Sequence, residues 1–350
     1  MSRTGNGKRP VNVAILGATG RVGQEILKIL EERNFPVAKL KLLASARSKD
    51  TTITFQKKQY QVEPPTAESF REVDIVLASA GAEISKELTP AAVEAGAVVI
   101  DNSSAFRMTE SVPLVVPEVN GHALKNHRGV IANPNCSTAQ LVVVLKPLHE
   151  LAKLKRVIVS TYQSVSGAGK EAMDELAAQT KAVISEEDYP PNVFQRQIAF
   201  NLIPHIDSFL DNGYTKEEDK VINETRKILE LPDLPVTCTA VRVPVAISHS
   251  ESVLCEFERR ISPAEARDAL ANSPSIEIWD SPQEGIYPTP IDAVGQDPVF
   301  VGRIRRDTSS DTGLNLWIVA DNLRIGAALN AVRIAEYLLE NKLLRQPVAS

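Results

Sequence analysis

The residues with most chemistry in them are Asn133-Pro134-Asn135-Cys136-Ser137-Thr138, which follow a short apolar strand, Val130–Ala132, and lead into an apolar helix over about Ala139–Leu151. A thiol at a helix N-terminus faces unpaired backbone N–H groups and the positive end of the helix dipole, which stabilise a thiolate and lower its pKa. The same N–H groups would hold the oxyanion formed when that thiolate attacks a carbonyl. Most cysteines outside disulfides pack as small hydrophobes, and that is the reading for Cys238 and Cys255, both inside strand patterns. At Cys136 the turn context favours a nucleophile instead. A second stretch, Gly17-Ala18-Thr19-Gly20-Arg21-Val22-Gly23, stands directly behind the apolar run Val11–Leu16. A buried strand that turns through glycines into a helix is how backbone comes within reach of a dinucleotide pyrophosphate. Gly17, Thr19, Gly20, Arg21, Val22 and Gly23 are the candidate contacts.

A nucleophilic thiol and a nicotinamide site together point to one reaction class. The thiol adds to an aldehyde, the thiohemiacetal gives up its hydride, and the resulting thioester is released by phosphate or another acceptor. Such chemistry needs a general base, for which histidine suits neutral pH, and arginines that bind anions.

Those residues need a scaffold, and the first third of the chain supplies alternating strand-like and helical runs. Val11–Leu16, Leu40–Ser45, Asp74–Ala78 and Ala97–Ile100 read as strands, with helices over about Val22–Asn34 and Ala82–Ala95. That alternation predicts βαβ units in a parallel sheet. Beyond position 150 the texture changes. Arg156–Gln163, Pro235–Ile247, Leu254–Arg260, Val299–Arg306 and Leu314–Ala320 read as strands, several of them alternating polar and apolar residues. This suits an antiparallel sheet with one face covered by helices. A polar, helix-rich insertion spans roughly Glu171–Leu229, and an amphipathic helix over about Asp321–Asn341 is capped by Asp321 or Asn322. The predicted fold is α/β: a Rossmann-type dinucleotide domain over 1–135, completed by the C-terminal helix 321–350, and an α+β catalytic and dimerisation domain over 136–320 with a mainly antiparallel sheet.

Composition closes off other classes. A net charge of −5 without a basic block argues against nucleic acid as a partner, and no apolar run is long enough to cross a bilayer. The segment Met1–Pro10 lacks the hydrophobic stretch of a secretory signal and reads as a disordered lead-in. Three cysteines without paired spacing, and five histidines without HxH or HxxxH spacing, predict no disulfide framework and no metal site. Reduced thiols fit a cytoplasmic location.

The cofactor's identity turns on the second strand. An NAD-binding unit usually ends that strand with a carboxylate that bonds the ribose hydroxyls. Here it ends in Ser45-Ala46-Arg47-Ser48, with no acid to repel a 2′-phosphate and with an arginine and two hydroxyls, Ser45 and Ser48, to bind one. NADP is therefore the expected cofactor.

The chain resembles the aspartate-semialdehyde dehydrogenases. The matching motifs are GATGRVG (17–23), NSSAFR (102–107), NPNCST (133–138), TYQSVSGAG (161–169), NLIPHID (201–207), the segment 217–225, VRVPV with SHSES (241–252), and DNLRIGAA (321–328), in order across nearly the whole chain. The resemblance implies Cys136 as the acyl-accepting nucleophile, His249 as general acid/base and Gln163 as the group that orients the acyl-enzyme. It implies Arg242 on the substrate α-carboxylate, Glu217 on the α-ammonium, and Lys220 with Arg107 on phosphate. It also implies NADP, with Ser166, Gly167, Gly169 and Asn322 near the nicotinamide, and a homodimer. Read without the resemblance, His249 is a satisfied polar residue, Glu217 and Lys220 are a solvated i, i+3 pair, and the two arginines are ion-pair partners. The chain departs from the family at Ser79-Ala80-Gly81-Ala82, where a second glycine is common, so Ala82 is left unassigned.

The implied reaction is NADP-dependent conversion of L-aspartyl 4-phosphate to L-aspartate 4-semialdehyde and inorganic phosphate, on the branch towards lysine, threonine and methionine. An N-acetyl-γ-glutamyl-phosphate reductase shares the cysteine–histidine logic, but its substrate offers Glu217 no cation. A glyceraldehyde-phosphate dehydrogenase fits the context of Cys136 less well. A non-catalytic dinucleotide-binding protein would have no use for the nucleophile, base and anion clamps.

Overall fold

The computed structural model describes residues 9–344. Most of the expected lead-in, 1–8, and the last part of the terminal segment, 345–350, lie outside the described residues. The described residues divide into two compact units, 9–134 with 327–344, and 135–326.

The first unit runs β1 (Val11–Leu16), α1 (Arg21–Glu32), β2 (Val37–Leu43), β3 (Thr52–Phe55), β4 (Lys58–Glu63), β5 (Ile75–Ala78), α2 (Ala82–Glu94), β6 (Val98–Asp101), the single turn α3 (Pro117–Asn120) and β7 (Val130–Ala132). Its seven strands order as β3-β4-β2-β1-β5-β6-β7. Every pairing is parallel except the β3–β4 hairpin. Strands buried on both faces read as continuous apolar runs, and β1, β5 and β6 are of that kind. α1 is amphipathic: Ile26, Leu27, Ile29 and Leu30 turn inward. The C-terminal helix Leu329–Glu340 belongs to this unit and buries Leu329, Val332, Ile334, Ala335 and Leu338. Arg33, just past α1, ties the two helices together through Glu336 at 2.7 Å. Because β2 and β5 flank β1 on opposite sides, the carboxyl end of β1 is the switch point at which parallel α/β sheets bind ligands. The glycine turn sits there.

The second unit runs α4 (Cys136–Ala152), β8 (Leu154–Gln163), α5 (Lys170–Ile184), α6 (Lys216–Leu229), β9 (Val236–Arg242), β10 (His249–Phe257), α7 (Pro263–Ala271), β11 (Ile276–Ile278), the turn α8 (Pro290–Ala293), β12 (Val299–Arg306) and β13 (Gly313–Ala320). The terminal helix of the first unit is α9. The six-stranded sheet orders as β11-β12-β13-β10-β8-β9. Its β12–β13, β13–β10 and β10–β8 pairings are antiparallel, whereas both edge pairings are parallel.

Four expectations about elements change. The strand expected over Pro235–Ile247 stops at Arg242, and that expected over Leu254–Arg260 is His249–Phe257. The chain turns in 243–248, where Ser248 adopts φ +77°, so Arg242, expected mid-strand, ends β9, and His249, expected between strands, opens β10. The polar insertion is helical only at its two ends, with 185–215 irregular between α5 and α6. The helix expected from Asp321 begins at Leu329, after a wide π turn over Arg324–Ala328. Asp321 causes part of that delay, because its Oδ1 accepts from the Leu323 and Arg324 N–H groups and holds the chain in a turn. The β3–β4 hairpin was absent from the sequence reading. Among the described residues no helix is long and apolar enough to cross a membrane.

Candidate active site

The register of the second sheet gathers the site. β8 and β9 are parallel, and their last residues, Gln163 and Arg242, pair directly. β10 runs the other way, so its first residue, His249, arrives at the same end of the sheet, opposite Ala320 at the end of β13. α4 begins with Cys136, and its Sγ lies 3.2 Å from His249 Nε2. Asn135 caps this helix: its Oδ1 accepts from Ser137 N–H at 2.9 Å and Thr138 N–H at 3.2 Å. The backbone of the π turn passes close by. A Cβ at Gly326 would come within 2.6 Å of Cys136 Cβ, so only glycine fits.

α6 brings the acidic part. Thr215 caps it with a reciprocal bond to Glu218, which sets Glu217 inward at 6 % exposure. Glu217 Oε1 accepts from Asn135 Nδ2 at 2.8 Å and Gln163 Nε2 at 3.1 Å. Its Oε2 faces Lys220 Nζ at 3.4 Å, while Lys220 also bonds Asp207 at 2.7 Å. Burial alone would pull the Lys220 ammonium down, but Glu217 and Asp207 outweigh it and hold its pKa above the ordinary value. The i, i+3 pair is therefore anchored on the buried Glu217, with Lys220 half-buried and Asp207 at the exposed end, and is not a solvated face.

Arg242 is buried, donates Nη1–H to the Ser164 carbonyl at 2.8 Å, and lies over the Phe194 ring with its guanidinium carbon 5.9 Å from the centroid. Burial lowers its pKa, while Glu217 and Cys136 support its charge. A Cβ at Gly167 would stand 3.2 Å from Arg242 Nη1 and 3.4 Å from the His249 ring, so the Ser166–Gly169 turn packs against both. Desolvation and then Arg242 depress the His249 pKa to about 3, and the ring rests neutral. Cys238 and Cys255 are buried thiols whose pKa values burial raises far above the ordinary range.

Asn322 and Ser166, expected near the nicotinamide, spend their side chains inside the protein. Asn322 Oδ1 accepts from Ser164 Oγ, Ser166 Oγ and Ser248 N–H, and its Nδ2 donates to Ser166 Oγ. Asn135, Ser164, Asp207, Phe194 and Gly326 escaped the sequence reading. For Asn135 the signal existed, since asparagine before a helix is a cap. The others become visible only through tertiary contacts.

The first unit holds the remaining predicted residues. Gly17 has φ +91°, and a Cβ there would strike Ser79; one on Gly23 would stand 2.3 Å from the Gly17 carbonyl oxygen. Both glycines are therefore needed for the turn to close over the end of β1. Ser48 Oγ lies 3.3 Å from Thr19 Oγ1, which places the one-turn 3₁₀ helix Ala46–Ser48, with exposed Arg47, beside the glycine turn. A turn opened by Gly17, Gly20 and Gly23, flanked by an arginine and hydroxyls and lacking a carboxylate in 45–48, fits a dinucleotide with a 2′-phosphate. Arg107 is buried and donates to the carbonyls of Asn133 and Asn102 at 2.9 and 2.8 Å, fixing the segment that leads to Cys136. Ala82 opens α2 after Gly81, whose φ is +90°.

A dinucleotide-type sheet and a cysteine–histidine pair at a strand-end cluster define a phosphorylating aldehyde dehydrogenase. In agreement, residues 12–127 match the semialdehyde dehydrogenase NAD binding domain, and residues 145–325 the semialdehyde dehydrogenase dimerisation domain. An aspartate-semialdehyde dehydrogenase from Aquifex aeolicus is 54% identical over 336 residues, covering 95% of this chain and 99% of the relative. A crystal structure of aspartate semialdehyde dehydrogenase II from Vibrio cholerae, complexed with ASA, superposes with a TM-score of 0.93 at 48% identity, over 95% of this chain and 99% of that one. The Candida albicans enzyme, solved with NADP, aligns with a TM-score of 0.74 at 25% identity, over 96% and 100%. The chain belongs to the aspartate-semialdehyde dehydrogenase family.

Proposed function

We propose that this protein uses NADPH to reduce L-aspartyl 4-phosphate to L-aspartate 4-semialdehyde with release of phosphate, through a thioester on Cys136. It is an oxidoreductase of the semialdehyde dehydrogenase family, it uses NADP, and it works as a homodimer. A cytoplasmic location, where thiols stay reduced, completes the reading. The observation that carries the mechanism is the 3.2 Å contact between Cys136 Sγ and His249 Nε2 at the N-terminus of α4.

The roles follow from chemistry. His249 holds the thiol proton at Nε2 while the Cys136 sulfur attacks the C4 carbonyl. The C–S bond forms, the bond from C4 to the phosphate oxygen breaks, and phosphate leaves with the electron pair. NADPH, when bound, supplies the hydride that takes the acyl group to the aldehyde oxidation level. The C–S bond then breaks, the sulfur recovers its electrons, and His249 keeps or returns the proton at Sγ. Gln163, fixed by Glu217, orients the acyl group. Arg242 presents a planar fork to the α-carboxylate, Glu217 faces the α-ammonium, and Lys220 with Arg107 serves the phosphate. Gly17, Thr19, Gly20, Arg21, Val22 and Gly23 would cradle the pyrophosphate, with Ser45, Arg47 and Ser48 on the 2′-phosphate. Ser166, Gly167, Gly169 and Asn322 shape the turn behind the nicotinamide end. An N-acetylated substrate would leave the buried Glu217 facing no cation, which disfavours the glutamyl-phosphate alternative.

The test is phosphate-dependent NADP reduction with aspartate semialdehyde, N-acetylglutamate semialdehyde and glyceraldehyde 3-phosphate measured side by side. Aspartate semialdehyde should win by at least about a hundredfold in kcat/KM, the worth of one buried charge contact. Comparable rates for the N-acetylated compound would overturn the substrate assignment.

A further inference from the structure

We infer that Ser164 is the positioning residue that decides which nitrogen of His249 carries a proton, and that Cys136, His249, Ser164 and Asn322 act as one hydrogen-bonded relay. The inference rests on the reading of Cys136 as the nucleophile.

The geometry at Nδ1 is unusual in offering two different partners from one residue. Ser164 donates its backbone N–H to His249 Nδ1 at 3.1 Å, and its hydroxyl oxygen lies at 3.1 Å from the same nitrogen. A backbone N–H can only donate. Facing that group alone, Nδ1 would remain an acceptor and the neutral ring would carry its proton on Nε2. An Nε2–H pointing at Sγ can stabilise a thiolate but cannot accept a thiol proton. The hydroxyl removes that restriction, because it can accept a hydrogen bond from Nδ1–H if its own proton has another acceptor.

That acceptor is Asn322 Oδ1, 3.2 Å from Ser164 Oγ. The orientation of the carboxamide is fixed: Oδ1 takes the Ser248 N–H at 2.9 Å and Nδ2 donates to Ser166 Oγ at 3.0 Å. Ser166 Oγ stands 3.0 Å from Ser164 Oγ and completes the ring of donors and acceptors. Ser164 and His249 are fully buried and Asn322 nearly so, so bulk water does not stand in for any of these partners. The ionisable groups facing the imidazole are Cys136 from α4 and Arg242 from β9, the latter backed by Glu217 of α6. The segments after β8 and β13 present neutral groups, Ser164, Ser166 and Asn322.

The proton movement balances within the relay. The S–H bond breaks, its electron pair stays on sulfur, and the proton forms an N–H bond at Nε2. The ring becomes an imidazolium beside the thiolate. Its Nδ1–H is then accepted by Ser164 Oγ, whose own O–H goes on donating to Asn322 Oδ1. The hydroxyl therefore favours the thiolate–imidazolium pair, whereas the backbone N–H favours the neutral Nε2–H ring.

Replacing Ser164 by Ala leaves the N–H and removes the hydroxyl. Alkylation of Cys136 by iodoacetamide is followed against pH by mass spectrometry of the Cys136 peptide, alongside steady-state kinetics. In Ser164→Ala the pH midpoint of alkylation should rise by about one unit or more. The kcat should fall roughly 10- to 100-fold, with KM for aspartate semialdehyde within about threefold, because the substrate contacts remain. Ser164→Thr, which restores a hydroxyl, should return both quantities to within about threefold of the parent. Ser164→Gly loses the same hydroxyl and must reproduce the Ala result, which keeps the test intact if the Ala protein fails to fold. An unmoved midpoint in a folded Ala or Gly variant would overturn the inference, as would a Thr variant as impaired as Ala. Alkylation needs no substrate, so parental protein inactive on aspartate semialdehyde would refute the proposed reaction without touching this measurement.

Discussion

Replacing Arg242 by Lys tests the substrate clamp, because the structure separates what the guanidinium does for the protein from what it does for a ligand. One nitrogen, Nη1, is committed to the Ser164 carbonyl at 2.8 Å, and the group lies over Phe194. The remaining edge has no protein acceptor among the described residues and suits a carboxylate as a two-point fork. A lysine ammonium keeps the charge but makes one such contact at best, and burial would lower its pKa. Losing one charge-assisted hydrogen bond costs about 1.5–3 kcal/mol, and weakening the Ser164 contact about 0.5–1.5 kcal/mol. Together they amount to about 2–4.5 kcal/mol, or roughly 30- to 2000-fold in kcat/KM for aspartate semialdehyde. The assay is phosphate-dependent NADP reduction, run in parallel with a semialdehyde lacking the α-carboxylate, for which the loss should stay under about tenfold. Equal losses on both substrates would show that Arg242 only supports the Ser164 turn. A loss under about threefold on the natural substrate would remove it from the site.

Three further outcomes are expected. Arg47→Ala should weaken NADP about 10- to 100-fold and NAD by less than about threefold in binding titrations, and equal losses would defeat the 2′-phosphate assignment. Asn135→Asp keeps the cap on Ser137 and Thr138 but turns an acceptor towards Glu217, 2.8 Å away. Its stability should fall by more than the about 1 kcal/mol that Asn135→Ala loses with the cap, because two buried carboxylates then face each other. Its kcat/KM should fall at least about tenfold through the like-charge contact, and unchanged kinetics would make that contact dispensable. His249 has a folded pKa near 3 against an ordinary 6.5, so as pH falls the unfolded chain takes up the proton first and stability is lost below about pH 6.5. Between pH 7 and pH 5 this group should cost about 2 kcal/mol in urea unfolding, a loss that His249→Gln should lack; identical pH slopes would contradict a neutral buried ring.

What the sequence disclosed, and what it hid, follows from how far each signal reaches along the chain. The glycine turn and the Asn-Pro-Asn-Cys turn are local, and both stand where the pattern placed them. The alternation of strands and helices likewise sufficed for a parallel sheet around β1. The β3–β4 hairpin left no trace because its turn residues, Gln56 and Lys57, adopt φ +47° and +63° without the Asn-Gly pair that usually marks such a turn. The strand ends at Arg242 and His249 were blurred because the apolar run continues through the connecting turn. Convergence of Gln163, Arg242 and His249 depends on strand direction and register, which no spacing reveals. Ser164 resembled any loop serine until its two contacts with one imidazole nitrogen were seen.

The central claim is a covalent intermediate on Cys136. The most direct measurement is mass spectrometry of enzyme incubated with aspartate semialdehyde and NADP in the absence of phosphate, then quenched in acid and digested. The account predicts one aspartyl group on the peptide containing Cys136, lost on adding phosphate before the quench and absent from Cys136→Ala. Turnover with no adduct, or Cys136→Ala activity within about tenfold of the parent, would contradict it.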